Sequence, residues 1–376
     1  MAGIYIHVPF CKQACHYCNF HFSTNLGLQN DFKDALLKEI ALRKQYIQGE
    51  EVETIYLGGG TPSLLPGSAV REIISSLFHH FTIGSDPEIT IEANPDDIDE
   101  SRLEDWKKCG INRLSIGVQS FFNEDLKWMN RAHDGEQAFR SIEMVKRAGI
   151  NNYSIDLIYG SPGLTDEKWG INLHRAISLD PAHISCYALT VEPKTALFKM
   201  IHSHSSENIE PAKQASQFLN AIQILQEAGF EHYEISSFAK PGKRSRHNSS
   251  YWQSKKFLGL GPAAHSFDGM SRQWNVANNA IYIKSLNTGQ LSFESEILES
   301  RDLLNEYIMT SLRTSDGLDL NQVNKRFGLE KRNLLENNAA VYISTDRMRI
   351  DNEKLKLTEQ GKLFADGIAA ALFFDR

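Results

Sequence analysis

The stretch IYIHVPFCKQACHYCNF, residues 4–20, sets Cys11, Cys15 and Cys18 in the spacing CxxxCxxC directly after a short apolar run. Iron–sulfur clusters usually take four protein thiolates. Three thiolates on one tight loop hold three corners of a four-iron cluster and leave the fourth iron open, much as a catalytic zinc keeps one position free. The small molecule expected at such an iron is S-adenosylmethionine, bound through its amino and carboxylate groups.

A structural zinc site is the main rival, and it would want four ligands. The remaining cysteines, Cys109 and Cys186, each stand alone in an apolar stretch, and His16 lies inside the loop that it would have to complete. Five cysteines in 376 residues, with no secretory signal peptide, lead us to expect a reduced, cytosolic protein without disulfides. A hydrophobic content of 41% is enough to bury a large core, and one big domain plus a small one is expected. A net charge of −7 gives no footprint for nucleic acid. No apolar run approaches the roughly 20 residues needed to cross a bilayer.

Working outward, β-branched and aromatic runs recur at residues 4–8, 54–58, 88–93, 113–118, 153–159, 183–189 and 232–238. Helical patterns separate them, with Phe32, Leu36, Leu37 and Ile40 on one face of the first, and others over 135–148, 166–179 and 211–228. Gly149 and Gly229 sit where helix C-caps belong. This alternation means parallel βαβ units. It fits an α/β fold with a complete or partial (β/α) barrel over residues 1–290, and leaves an open doubly wound sheet as the alternative.

Polar residues fall at one end of these strands. The cysteine loop follows the first, GGGTP (58–62) the second, Glu92 ends the third, Gln119 follows the fourth, and Asp156 lies within the fifth. In α/β barrels the active site is built at the C-terminal strand ends. GGGTP lacks the GK[ST] ending of a phosphate loop. Its glycines let a backbone edge approach a ligand closely, here the methionine amino group, although alone they would read as a tight turn. Glu92 and Asp156 taken singly could be structural acids at the rim, and Arg131 could pair a carboxylate or cap a helix.

The series YIHVPFCKQACHYCNF, YLGGGTP, IEANP, IGVQSF, NRAH, DLIYGSPG and GLGPAAHSF runs nearly end to end. It resembles the radical-SAM group that contains anaerobic coproporphyrinogen III dehydrogenases and their HemW-type heme-chaperone relatives. The resemblance implies a partial barrel of the radical-SAM type and a [4Fe–4S] cluster on Cys11, Cys15 and Cys18. It also implies S-adenosylmethionine contacts from Tyr5, Gly59, Gly60, Thr61, Glu92, Gln119, Arg131 and Asp156.

Three features favour the heme-chaperone branch. Phe20 stands where the dehydrogenases carry a further cysteine, the first strand begins at Ile4 without their N-terminal extension, and residues 247–252 resemble the HNxxYW signature. That resemblance assigns His247, Asn248, Tyr251 and Trp252 to haem, held as cargo. A neutral imidazole can ligate haem iron and aromatic rings can stack on a macrocycle, though His247 could equally hydrogen-bond within the rim. Lys240, Lys243, Arg244 and Arg246 just before could meet haem propionates, anionic lipid headgroups, or only solvent.

After residue 291 the βα rhythm stops. Helices are expected from ESRDLLNEYIMTSL, LNQVNKRF and KRNLLENNAA, strands from VYIST and RMRI…KLKL, and a last helix capped by Thr358 and running through 374. This small, winged-helix-like domain over 291–376 is read as a docking module, not a DNA reader. The expected function is delivery of haem to a recipient protein, with a membrane respiratory protein as one recipient class and peripheral membrane association left open. The alternative is an oxygen-independent coproporphyrinogen III dehydrogenase. Whether S-adenosylmethionine is cleaved stays open.

Overall fold

The computed structural model describes residues 1–374; Asp375 and Arg376, the last two of the expected C-terminal segment, lie outside them. Six strands run parallel in chain order: β1 (Ala2–Val8), β2 (Val52–Gly59), β3 (Ile83–Ala93), β4 (Arg113–Gln119), β5 (Tyr153–Tyr159) and β6 (His183–Ala188). Helices connect them, and the parallel pairing follows from those crossovers. Gly149 and Gly229 take positive φ of 78° and 86° just past their helices, as C-cap residues do.

The run at 232–238, expected as one more strand of the series, is instead a hairpin. β7 (Glu231–Glu234) and β8 (Ser237–Ala239) are antiparallel, and β8 lies antiparallel on β6. The chain turns at Ile235 and Ser236, so the two halves of the run pair with each other. The seventh parallel strand is β9 (Lys256–Leu260), which returns to the free side of β1. Antiparallel β10 (His265–Phe267), β11 (Ser271–Asn275) and β12 (Phe293–Ile297) extend that side. The order β12-β11-β10-β9-β1-β2-β3-β4-β5-β6-β8-β7 does not close on itself, so the barrel is partial.

Strand alternation separates two faces. Ile55, Leu57, Ile91, Leu114, Ile116, Ile155, Leu157 and Ile184 are buried in the main apolar core, shared with helix residues such as Leu36, Ile73, Trp106 and Trp169. The positions between them carry Thr54, Tyr56, Glu92, Arg113, Ser115, Ser154, Asp156, His183 and Ser185. In register, Ser115 faces Ser154, Ser154 faces His183, and Asp156 faces Ser185. One face of the sheet is therefore greasy and helix-covered, and the other is polar.

The C-terminal part has its own core, including Leu304, Ile308, Leu312, Leu335, Met348 and Leu355. Its sheet is β13 (Leu318–Asp319), β14 (Met348–Asp351) and β15 (Lys354–Leu357), in the order β13-β15-β14. VYIST does not form a strand: residues 341–344 complete the helix Leu329–Ser344, which buries Leu335 and Ala339. Thr358 caps only a short helix, Glu359–Lys362, and a separate helix spans Ala365–Ala371. The two parts are stitched together at β7. Ser315 N donates to Tyr233 O at 2.9 Å and Ile235 N to Arg313 O at 3.0 Å, while Lys362 Nζ lies 2.9 Å from His232 Nδ1.

Candidate functional site

The polar sheet face opens into a cavity of about 510 Å³ at the C-terminal strand ends. Cys11, Cys15 and Cys18 line it, on a loop fixed at several points. Cys11 N donates to Ser23 O (3.0 Å) and Ser23 N to Pro9 O (2.9 Å), which closes the loop's base. Lys12 pairs with Asp96 at 2.8 Å and with Asp97. Asn130 Nδ2 donates to Ala14 O at 2.7 Å, and His16 Nδ1 lies 2.7 Å from Trp128 O. His16 is thus tied to the turn before Arg131 and is not among the residues lining the cavity.

Thr61 Oγ1 donates to Cys11 Sγ at 3.5 Å and Arg131 Nη1 to Cys15 Sγ at 3.4 Å. Burial pushes the Cys11 thiol up to about 11 and raises that of Cys18. Coordination reverses this, because a metal-bound thiol is deprotonated outright.

Beside the loop runs the glycine edge. Gly59 has φ +107°, and a Cβ there would lie 2.5 Å from the His7 ring; a Cβ on Gly60 would lie 2.7 Å from Phe10 O and 2.9 Å from Val8 O. Only glycines let β2 end this close to the base of the cysteine loop. Glu92 accepts from Tyr56 Oη at 2.8 Å and from Gly59 N at 3.1 Å. Burial, with the Asp156 charge adding, pushes its carboxyl up to about 7 against those two bonds.

Gln119 takes φ +67° where the β4–β5 register shifts, a sparsely populated conformation for a non-glycine residue. Its Oε1 and the Nε of Arg131 are buried without a partner among the described residues. Arg131 Nη2 donates to Asn94 Oδ1 (2.5 Å) and Gly117 O (2.7 Å). Asp156 accepts from Ser115 Oγ at 2.8 Å and Ser154 Oγ at 3.0 Å, and burial raises its pKa despite them. Three thiols, a bare backbone edge and unsatisfied polar atoms around one cavity fit a cluster and its polar ligand.

Of the residues expected from sequence, Cys11, Cys15, Cys18, Gly59, Gly60, Thr61, Glu92, Gln119, Arg131, Asp156 and Asn248 line this cavity. Tyr5 stands behind the wall, its ring stacked 6.1 Å from Tyr56 and its hydroxyl 3.1 Å from His7 Nδ1. His247 is buried in the helix Arg246–Trp252. Its Nδ1 lies 2.8 Å from Thr54 Oγ1 and its Nε2 2.8 Å from Tyr251 Oη, so a haem-ligating role would require breaking one of these contacts. Trp252 lines a second cavity, against the C-terminal domain. Sequence reasoning missed Tyr56, Asn94, Ser115, His183 and Ser185, all on the cavity wall; polar residues at every second position of strands β2 to β6 were the available signal.

The radical SAM superfamily model matches residues 5–174, and the HemN C-terminal domain model matches residues 298–364. The heme chaperone HemW of Escherichia coli (strain K12) is 38% identical over 267 residues, 70% of this chain and 69% of that protein. The heme chaperone HemW of Bacillus subtilis (strain 168) is 30% identical over 375 residues, 99% of each chain. The solved structure of coproporphyrinogen III oxidase (HemN) from Escherichia coli, described as a radical SAM enzyme, shares the fold. Its TM-score is 0.86 at 23% identity, over 99% of this chain and 90% of that one. The cysteine loop, the partial barrel and these likenesses together establish that the chain belongs to the heme chaperone HemW family of the radical SAM superfamily.

Proposed function

We propose that this protein carries haem to recipient proteins and holds a [4Fe–4S] cluster on Cys11, Cys15 and Cys18 with S-adenosylmethionine beside it. The observation that carries the cofactor reading is the convergence of the three thiols, the Gly59–Gly60 edge and Glu92 on one cavity. The cargo reading rests on the heme-chaperone name of the relatives and on the HNxxYW segment.

When bound, a reduced cluster supplies one electron to the sulfonium, chemistry that belongs to the cofactor. The chain's part is placement. Gly59 and Gly60 present backbone to the methionine amino group, and Glu92 supplies the countercharge. Arg131 braces the loop through Cys15 and Asn94, Gln119 offers its free amide oxygen, and Asp156 holds the far end of the ligand. Tyr5 supports this wall from behind through Tyr56. Among the described residues no helix is long and apolar enough to cross a membrane.

The test is anaerobic reconstitution of the full chain, followed by iron and acid-labile sulfide assay, haem titration, and incubation with dithionite, S-adenosylmethionine and coproporphyrinogen III. Cluster assembly, haem binding and no vinylated product are expected. Vinylated product above the protein-free background would make this a coproporphyrinogen III dehydrogenase, and a chain that binds no haem would end the chaperone reading.

A further inference from the structure

A second cavity, of about 380 Å³, lies where the helix Arg246–Trp252 and the hairpin strand β7 meet the C-terminal domain. Its size is within the range of ligand sites, about 300–1,000 Å³. Trp252, Tyr233 and Tyr307 supply aromatic wall. The Trp252 Nε1 atom is buried and has no hydrogen-bond partner among the described residues. An indole N–H in that state wants an acceptor that the chain does not provide.

The charges around it are unevenly committed. Of the two acids, Asp319 spends its Oδ1 on the backbone N–H groups of Asn321 (2.8 Å) and Gln322 (3.1 Å). Asp316 pairs with Arg244 at 3.5 Å, and Arg244 also reaches Glu231 at 3.3 Å. Two more cations line the cavity, Arg326 and Lys354; neither makes a salt bridge within 4 Å among the described residues, although Lys354 stands opposite Asp351 in the sheet and its charge helps to lower the pKa of that carboxyl. Arg326 is held by its guanidinium lying 5.3 Å from the Tyr307 ring centroid and 4.9 Å from that of Phe327. An arginine and a lysine without salt bridges, beside aromatic rings, suit a flat ligand with carboxylates on one edge.

We propose that this interdomain cavity binds the propionate edge of the tetrapyrrole, with Arg326 and Lys354 taking the carboxylates and Trp252 the ring. The assignment rests on the reading that haem is the cargo. It places the cargo across the helix Arg246–Trp252 from the cysteine cavity. Asn248 of that helix lines the first cavity, and Ser249 and Trp252 line the second.

The cluster-reconstituted full chain is titrated with haem and with haem dimethyl ester, whose propionates carry no charge, following haem absorbance and tryptophan fluorescence. The wild type is expected to prefer the free acid by about tenfold or more, the scale of one or two charge-assisted hydrogen bonds. The double variant R326Q/K354Q is expected to lose that preference and keep its affinity for the ester, with iron and sulfide content at the wild-type level as the check on folding. Haem and ester binding the wild type equally, or a preference surviving in the double variant, would overturn the site while leaving haem as cargo. Wild type that binds neither compound would remove the cargo reading and this site with it.

Discussion

His183 Nε2 lies 2.8 Å from the hydroxyl of Tyr233, and this contact completes a chain of hydrogen bonds between the two cavities. Ser154 Oγ donates to Asp156 Oδ1 (3.0 Å), which leaves its lone pairs for His183 Nδ1 at 2.8 Å. His183 therefore donates from Nδ1 and accepts the Tyr233 proton at Nε2. Burial lowers the His183 pKa well below its ordinary value, so the ring stays neutral, as this one-directional chain requires. Asp156 and Tyr233 stand at its ends, one in each cavity.

Replacing His183 by Leu would take away the acceptor of the Tyr233 proton and one donor to Ser154, which keeps its bond to Asp156, at about 1–3 kcal/mol for the lost pairing. S-Adenosylmethionine affinity, followed by calorimetry on reconstituted protein, should fall along with the urea midpoint. His183→Gln, which can still donate and accept, should restore part of both. Unchanged affinity in the Leu variant would separate Asp156 from the chain.

Gly60→Ala puts a Cβ against the backbone of Val8 and Phe10, which cannot swing aside as a side chain can. Overpacking of this kind costs about 1–3 kcal/mol. The damage falls at the base of the cysteine loop, so reconstituted iron per chain should drop. Cys15→Ala should lose the cluster without that strain, giving low iron at a near-normal melting temperature.

Burial pushes the Glu92 carboxyl up to about 7. A carboxylate accepts hydrogen bonds from the ligand's amino N–H groups more strongly than a carboxyl does, so protonation at lower pH opposes binding. The ratio of wild-type to Glu92→Gln affinity for S-adenosylmethionine should rise about tenfold between pH 6 and pH 8. A flat ratio would place the amino group elsewhere.

His247 has its pKa lowered to about 3 by burial. Between there and the ordinary value near 6.5, the unfolded chain binds a proton at this residue and the folded chain does not. Stability from this group is therefore complete above pH 6.5 and is lost as the pH falls toward 3. Relative to His247→Gln, wild type should lose about 2 kcal/mol between pH 7 and pH 5, read from urea midpoints. The haem absorbance maximum should be unchanged in the Gln variant, since both imidazole nitrogens already have hydroxyl partners. A shifted maximum would restore His247 as the iron ligand.

Much of the cysteine cavity was legible because its signals are local. CxxxCxxC, GGGTP and Glu92 stand at the ends of runs whose period marks them as strands, Asp156 lies within another such run, and parallel strands joined by helices bring them to one cavity. The hairpin at 231–239 was misread because β-propensity does not distinguish one strand from two. The turn at Ile235 and Ser236 is set by what β6 and the C-terminal domain present there. VYIST was misread for a related reason: Val, Tyr and Ile suit a strand in isolation, but burial of Leu335 and Ala339 extends one helix through them.

The sequence by itself determined the cysteine loop, the parallel βα order and the family, because these depend on spacing and periodicity along a few neighbouring residues. Only the tertiary structure decided which nitrogen of His247 meets which hydroxyl, which side of the helix Arg246–Trp252 faces which cavity, and that a second cavity exists. Those features arise from contacts between residues nearly 200 positions apart, such as Thr54 and His247. Their geometry is fixed by strand register and domain packing, and neither leaves a period in the chain.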